Sequence, residues 1–168
     1  MTEDDVTRLA RRLGFLAKKR RVDIVAAESC TGGGVATAIT RISGSAKWFE
    51  RGFVTYTNVA KKEMLGVRQD TLRKHGAVSE EVAIEMARGA LKHSHADVSV
   101  AVTGIAGPTG GSPDKPVGTV WFAFMVDGRL ASETRRFDGD RGAVRRQTVD
   151  HALGRLVEHI EQSEEQQP

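Results

Sequence analysis

The chain has 168 residues, of which 39% are hydrophobic and 28% charged, values typical of a folded globular domain rather than a disordered segment. No apolar run reaches the roughly 18 residues that a membrane span needs, and the N-terminal sequence lacks the apolar core of a secretory signal. The single cysteine, Cys30, excludes an internal disulfide framework and a cysteine-based zinc site, so we expect one cytoplasmic domain over 1–168.

The first third of the chain predicts a helix, a strand, a glycine-rich turn and a second helix. Apolar residues recur at helical spacing over 6–17. The apolar run 22–27 has the length and branched side chains of a buried strand. After the turn at 30–34, helical spacing returns over 35–42.

The middle of the chain predicts a strand over 52–56 and then three helices. Thr57 or Asn58 caps a short helix over 59–65 that ends at Gly66. Asp70 is predicted to cap another short helix, and Ser79 a longer one.

The last third predicts a strand over 97–102, a loop over 109–116 and an apolar central strand over 117–126. Asp127-Gly128 is a hairpin signal that leads into an edge strand over 130–137, and Asp140 begins the last helix. Strands alternate with helices, which indicates an α/β fold: a three-layer α/β/α sandwich with a mixed, mostly parallel sheet.

The segment AESCTGGG at 27–34 brings a nucleophile to the end of a predicted strand. Ser29 follows the strand directly, and glycines lead from it into the next helix. Backbone N–H groups at Thr31, Gly32 and Gly33 suit a phosphate or a developing oxyanion. A tight turn capped by Ser or Thr is the structural alternative, and the segment is neither a Walker loop nor G-x-G-x-x-G.

A hydroxyl nucleophile needs a base. The five histidines lie away from the glycine-rich strand ends, and those at 93, 95, 151 and 159 are interpreted as surface residues. Lys61 lies in the first turn of its helix, where the helix dipole and burial lower the pKa of an amine from about 10.4. The alternative is an exposed lysine; Tyr56 could orient or relay protons, and no histidine spacing predicts a metal site.

The strand end TGIAGP at 103–108 is the third candidate. Ligands of open α/β sheets lie outside the carboxyl ends of strands, and Thr103, Gly104 and Gly107 bring polar or flexible backbone to that edge. A rigid loop closed by three prolines is the structural alternative.

Five motifs carry a resemblance to a known family: AESCTGG, GFVTYTNVAK, GAVSEE, TGIAGPTGGSPDKPVGTVWFAF and GDRGAVRRQ. They resemble the C-terminal domain family of the competence/damage-inducible protein CinA, from about Val6 to Ile160, in its stand-alone form. The resemblance implies an α/β/α sandwich, often oligomeric, that deamidates nicotinamide mononucleotide to nicotinate mononucleotide and ammonia in pyridine nucleotide salvage.

The same resemblance implies site residues and partners. The family is a serine amidohydrolase that uses no metal and no cofactor, so Ser29 becomes the nucleophile, Lys61 the general base and Tyr56 an assisting residue. The mononucleotide is the expected partner, with a homo-oligomer likewise expected and no membrane or nucleic acid. The candidate oxyanion and substrate-binding residues are Cys30, Thr31, Gly32, Gly33, Asn58, Thr103, Gly104, Gly107, Arg141 and Arg145, the two arginines as possible charges for the phosphate.

Three alternatives stay open from the sequence. Cys30 is a rival nucleophile, although it alternates to the side of the turn opposite Ser29. A non-catalytic nucleotide-binding or regulatory module would keep the glycine-rich loops without needing a neutral Lys61. A nucleic-acid adaptor would need more than the net charge of +3, and the basic residues near the N-terminus are interpreted as a solvated helix face.

Overall fold

The computed structural model describes residues 3–166. Within that range the chain forms six α-helices and five strands, with a short 3₁₀ turn at Ser45–Lys47. The elements are, in chain order, α1 (Asp5–Arg20), β1 (Ile24–Glu28), α2 (Gly34–Ile39), β2 (Phe49–Val54), α3 (Asn58–Leu65), α4 (Gln69–His75), α5 (Glu80–Lys92), β3 (Val98–Gly104), β4 (Thr119–Val126), β5 (Arg129–Arg136) and α6 (Arg141–Glu165).

The five strands make one sheet in the order β2-β1-β3-β4-β5. β1 pairs with β2 and β3 in parallel, whereas β4 pairs antiparallel with both β3 and β5. Four strands therefore point one way and only β4 opposes them, which confirms the mixed, mostly parallel sheet. β1 lies between β2 and β3. The chain passes from β1 to β2 on one side of β1 and later returns to β3 on its other side.

Two hydrophobic clusters cover the two faces of this sheet. The larger cluster contains side chains from α1, α2 and α6, with Trp48, Phe122 and Phe124 among its largest members. The smaller cluster is formed with residues of α3, α4 and α5. The alternation of strands with helices thus produces the three layers that the sequence predicts.

Side-chain caps fix several helix ends. Ser79 and Asp140 cap α5 and α6 as predicted, each accepting a hydrogen bond from a backbone N–H three residues later. Thr57, not Asn58, caps α3. The prediction for α4 is wrong, because Arg68 occupies the cap position and Asp70 lies in the first helical turn.

Several predicted boundaries also move: β1 begins at Ile24 rather than 22, β3 ends at Gly104 rather than 102, and β4 begins at Thr119 rather than 117. α2 ends at Ile39 rather than 42, because Thr40 takes up the C-cap position. β2 covers Phe49–Val54 rather than 52–56, since its pairing with β1 ends at Val54 opposite Glu28. The hairpin prediction is confirmed: Asp127 and Gly128 both have positive φ, at 52° and 75°, as a two-residue turn between β4 and β5 requires. Within residues 3–166, no helix is both long and apolar enough to cross a membrane.

Candidate active site

Ser29 lies at the carboxyl edge of the sheet, immediately after β1. Its N–H donates to the carbonyl of Val102 on β3 at 3.1 Å, so the strand pairing extends one residue and fixes the Ser29 backbone. The side chain of Ser29 is nearly buried, with 7% of the residue exposed. The serine therefore stands in a fixed position between the ends of β2 and β3.

Lys61 reaches Ser29 from α3. Its Nζ lies 2.8 Å from Ser29 Oγ, 2.9 Å from the carbonyl oxygen of Thr55 and 3.3 Å from that of Tyr56. A neutral amine has two N–H donors and one lone pair. If the two carbonyl oxygens take the two donors, the lone pair is left for the hydroxyl proton of Ser29.

The surroundings of Lys61 favour this neutral form. The residue is 1% exposed, and burial lowers the pKa of its amine from 10.5 to about 8. At pH 7 about a tenth of the amine is therefore unprotonated, roughly 300 times the fraction for a lysine of ordinary pKa. The neighbouring Lys62 is exposed and bonds to Gln69 at the surface.

The start of α3 places Lys61 at the end of the first helical turn. Thr57 Oγ1 accepts from the Ala60 N–H at 3.1 Å, and the Lys61 N–H donates to the Thr57 carbonyl at 3.0 Å. Thr55 is anchored to β1, because its N–H donates to the Glu28 carbonyl at 2.8 Å. Lys61 is thus connected to the strand that precedes Ser29 through a short segment of chain.

Glu28 holds the turn that follows Ser29, a role that the sequence analysis missed. Its buried carboxylate accepts from the N–H groups of Val35 and Ala36, at 2.8 and 3.0 Å, and from the Thr31 hydroxyl. Gly33 at the N-cap has no side chain for this purpose. The sequence signal that could have revealed this role is an acidic residue at the end of an apolar strand, followed closely by a helix that begins with a glycine cap.

Arg145 of α6 contacts the same turn. Its Nε donates to the Cys30 carbonyl at 3.1 Å and its Nη2 to the Thr31 carbonyl at 3.2 Å. The Gly32 N–H donates to the Ser29 carbonyl. Within the part of the chain that is described, the N–H groups of Thr31 and Gly33 have no hydrogen-bond partner.

The Cys30 side chain faces away from Ser29. It belongs to the cluster under α1, α2 and α6, whereas Ser29 bonds to Lys61 of α3 on the other face. Burial raises the pKa of the Cys30 thiol to about 12. Only the thiolate is a good nucleophile, so both the direction and the chemistry favour Ser29.

Tyr56 lies beside the pair but contacts Lys61 only through its carbonyl oxygen. Its half-exposed ring directs the hydroxyl to Arg141, whose Nη2 donates to it at 2.7 Å. Arg141 also donates to the Gly107 carbonyl at 2.8 Å. These three residues join the ends of β2 and β3 next to Ser29.

The other predicted residues are less directly placed. The Thr103 hydroxyl donates to the Ala77 carbonyl at 2.9 Å, so its proton is already engaged. Gly104 leaves room for tight packing, since a Cβ there would lie 2.6 Å from Val120 and 3.1 Å from Cys30 Sγ. Asn58 is exposed in the first turn of α3.

Two histidines contradict the surface interpretation. The His151 ring packs at a tilt against Phe122 and lies 2.7 Å from Glu133, and the His159 ring packs at a tilt against Phe124. The prediction of surface residues is wrong for both because the rings fill space between α6 and the sheet. His93 and His95 are exposed as predicted. In residues 3–166, no group of three or more His, Cys, Asp or Glu could hold a metal ion.

Comparison with known proteins shows which proteins this chain resembles. The family model described as the CinA C-terminal domain matches residues 6–160. A protein named nicotinamide-nucleotide amidohydrolase PncC, from Escherichia coli K12, is 54% identical over 97% of this chain and 99% of its own length. A PncC of the same name from Pseudomonas putida is also 54% identical, over 92% and 97%.

A solved structure agrees. The competence/damage inducible protein CihA from Agrobacterium tumefaciens superposes with a TM-score of 0.89 at 46% identity, covering 94% of this chain and 96% of that one. The sheet, the helices on both faces and the motifs that carry Ser29 and Lys61 therefore have one explanation: this chain belongs to the CinA C-terminal domain family.

Proposed function

We propose that the chain hydrolyses the carboxamide of nicotinamide mononucleotide, giving nicotinate mononucleotide and ammonia, with Ser29 as nucleophile and Lys61 as base. The contact of 2.8 Å between Lys61 Nζ and Ser29 Oγ carries this proposal. Relatives of 54% identity over nearly the whole chain are named for the same reaction. The activity belongs to pyridine nucleotide salvage.

The first half of the reaction forms an acyl-enzyme. Neutral Lys61 takes the hydroxyl proton of Ser29 while Oγ attacks the carboxamide carbon, and the carbonyl oxygen becomes an oxyanion. The unpartnered N–H groups of the turn supply donors for that charge. The C–N bond then breaks, and the proton on Lys61 passes to the departing nitrogen so that ammonia leaves.

The second half releases the acid. Water attacks the Ser29 ester and gives its proton to Lys61, after which the Ser29 oxygen leaves and recovers that proton. The net change consumes one water and produces one carboxylic acid and one ammonia. No cofactor takes part in these steps.

The substrate phosphate needs positive charge near the strand ends. Arg141 is exposed and already bridges Tyr56 and Gly107, so its guanidinium can turn toward an anion. We assign Tyr56 to orientation of the substrate together with Arg141, with Gly104 and Asn58 at the rim. The Thr103 hydroxyl can accept a hydrogen bond from the substrate but not readily donate one, because it already donates to the Ala77 carbonyl.

The alternative, a nucleotide-binding module without catalysis, gives Lys61 no reason to be buried. Burying an amine costs free energy that surface lysines avoid, and binding through glycine-rich loops would not need it. A nucleic-acid adaptor is supported by no further observation beyond the net charge of +3.

We further propose that residues 1–168 act as one cytoplasmic domain and assemble as a homo-oligomer. A single sheet with a hydrophobic cluster on each face supports the single domain. Size-exclusion chromatography with light scattering tests the assembly, and a monomer at micromolar concentration would contradict it.

Ammonia release from nicotinamide mononucleotide tests the function. We expect Lys61→Ala to lower kcat by about 10²–10⁴-fold, the range for losing a general base, and Ser29→Ala, which removes the nucleophile itself, to lower kcat further. Lys62→Ala is the matched control, because Lys62 is on the same helix and exposed. Cys30→Ala should keep most of the activity.

Three results would count against the proposal. A fully active Ser29→Ala removes the serine mechanism, and a Cys30→Ala that alone loses the activity transfers it to the thiol. Saturable binding of the mononucleotide without ammonia release by the wild type would favour the non-catalytic module instead.

A further inference from the structure

Two arginines reach the candidate site from α6, and they differ in exposure and in hydrogen-bond partners. Arg141 is exposed and bonds to a tyrosine hydroxyl and a loop carbonyl. Arg145 is half-buried, and both of its hydrogen bonds to the turn end on backbone oxygens, those of Cys30 and Thr31. A guanidinium engaged in this way is poorly placed to be the main ligand of a phosphate.

The Cys30 carbonyl shares a planar peptide with the Thr31 N–H. In a trans peptide the C=O and N–H point in opposite directions. The Thr31 N–H therefore points away from Arg145, and within the described chain it has no hydrogen-bond partner. In contrast, the next N–H, of Gly32, is already used by the Ser29 carbonyl.

The layers of the fold determine which side of the sheet the Thr31 N–H faces. Arg145 approaches the turn from α6, which packs with α1 and α2 on one face of the sheet. Ser29 meets Lys61 of α3 on the other face. A group that points away from Arg145 thus points toward the side where Ser29 would attack.

We propose that Arg145 is a positioning residue that aims the Thr31 N–H at the oxyanion of the acyl-transfer step. The inference rests on the proposed function. A cation on the Cys30 carbonyl polarises the peptide and makes its N–H a stronger donor. Glu28 fixes the other side of the same turn through the Thr31 hydroxyl and the start of α2, so the amide is held from two directions.

This role differs from phosphate binding in what it does to the kinetics. An oxyanion donor acts in the transition state, so misaligning it lowers kcat and leaves KM nearly unchanged. A phosphate ligand also holds the bound substrate, so its loss raises KM. Removing one oxyanion donor typically costs about 10²–10³-fold in kcat.

The experiment measures ammonia release by Arg145→Ala, Arg145→Gln and Arg145→Lys against Arg146→Ala. Arg146 is the exposed neighbour on the same helix. We expect Arg145→Ala to lose about 10²-fold in kcat with KM changed by less than about threefold. Arg145→Lys should recover part of kcat, because an ammonium can still donate to the Cys30 carbonyl, and Arg146→Ala should match the wild type. If Arg145→Ala does not fold, judged by circular dichroism, the Gln and Lys variants decide.

A raised KM with normal kcat would overturn the positioning role, as would unchanged kinetics.

A second readout separates this proposal from the proposed function: the rate at which a fluorophosphonate labels Ser29. In that reaction Oγ bonds to phosphorus, fluoride leaves, Lys61 takes the proton and the phosphoryl oxygen needs the same amides. If the wild type is labelled but releases no ammonia, the proposed function fails; slower labelling of Arg145→Ala than of Arg146→Ala still supports the positioning role, and equal rates overturn it. A wild type that shows neither reaction overturns both.

Discussion

The hydrogen-bond partners of Lys61 are one hydroxyl and two carbonyl oxygens, so within the described residues no carboxylate neutralises a charge on its amine. Burial is therefore the main influence on the amine and lowers its pKa to about 8, opposed only in part by the charge interaction with the Cys30 thiol. The same burial that suits Lys61 to the proposed role of base should also make the stability of the fold depend on pH.

The first prediction concerns activity. Because only the neutral amine can accept the Ser29 proton, kcat/KM for ammonia release should rise with pH through an apparent pKa of about 8 and level off above it. Steady-state assays between pH 6 and 9.5 measure this profile. A flat profile across that range would contradict a role for Lys61 as base.

The second prediction concerns stability and follows from proton linkage. The folded-state pKa of about 8 lies below the value of 10.5 for a free lysine, so between these values the unfolded chain binds more protons. Stability then rises with pH. The difference between the two pKa values corresponds to roughly 3 kcal/mol at most.

Urea unfolding of the wild type and Lys61→Met at pH 7.5 and pH 10 tests this linkage. The wild type should gain about 1–3 kcal/mol relative to the variant on going to the higher pH. Other groups that titrate in this range contribute to both proteins, so they cancel in the comparison. An equal response of the two proteins would mean that Lys61 has an ordinary pKa.

At the scale of elements, α2 depends on a carboxylate from a strand. Glu28 accepts from two N–H groups of the first turn, which otherwise lack a side-chain cap. Glu28→Ala should therefore lower the free energy of unfolding by about 2 kcal/mol, and Glu28→Gln by less, because one acceptor oxygen remains. Chemical denaturation measures both. An effect below about 0.5 kcal/mol for Glu28→Ala would show that the cap contributes little.

The contact between α3 and α5 gives a fourth prediction. A Cβ at Gly89 of α5 would lie 1.9 Å from the carbonyl oxygen of Leu65, at the end of α3. Gly89→Ala should push α3 away, lowering stability by about 1–3 kcal/mol and moving Lys61 from Ser29 so that ammonia release also falls. Thermal unfolding and kcat measure the two effects.

Gly154→Ala is the matched control in α6. A Cβ there would meet only the Leu9 side chain, at 3.9 Å. The alanine fits and favours the helix, so this variant should gain up to about 1 kcal/mol and keep its activity. If both variants behaved alike, close approach at Gly89 would not position α3.

The same elements show what could be predicted from the sequence. Periodicity and turn residues predict α1, α5, α6 and the hairpin, because these signals are local. Asp70 fails as a cap because an acidic residue also suits the first turn of a helix. The interaction of Glu28 with α2 spans only 7 residues and had a local signal that the sequence analysis missed. The interaction of Arg145 with Cys30 joins residues 115 apart, and local patterns carry no information about such a contact.

For the whole molecule, the two faces of the sheet are unequally covered. β1 and β3 are buried along nearly their whole length, and the larger cluster lies on the face of α1, α2 and α6. On the other face, α3 contributes Lys61 and Leu65 to the interior, while Val59 and Met64 are 57% and 40% exposed. The helix that carries Lys61 is therefore held by few apolar side chains.

Hydrogen exchange should reveal this difference. Local opening requires the loss of only the contacts that hold an element, so α3 opens at a lower free energy than the whole domain. We expect amides of 60–65 to exchange at least tenfold faster than those of β1 and β3, whose exchange requires global unfolding. Mass spectrometry of peptides from each segment measures the rates.

Opening of α3 also separates Lys61 from Ser29, so mild denaturant should abolish ammonia release before β1 and β3 lose protection. Equal protection of α3 and β1, with activity and global structure lost together, would mean that the domain opens only as one unit.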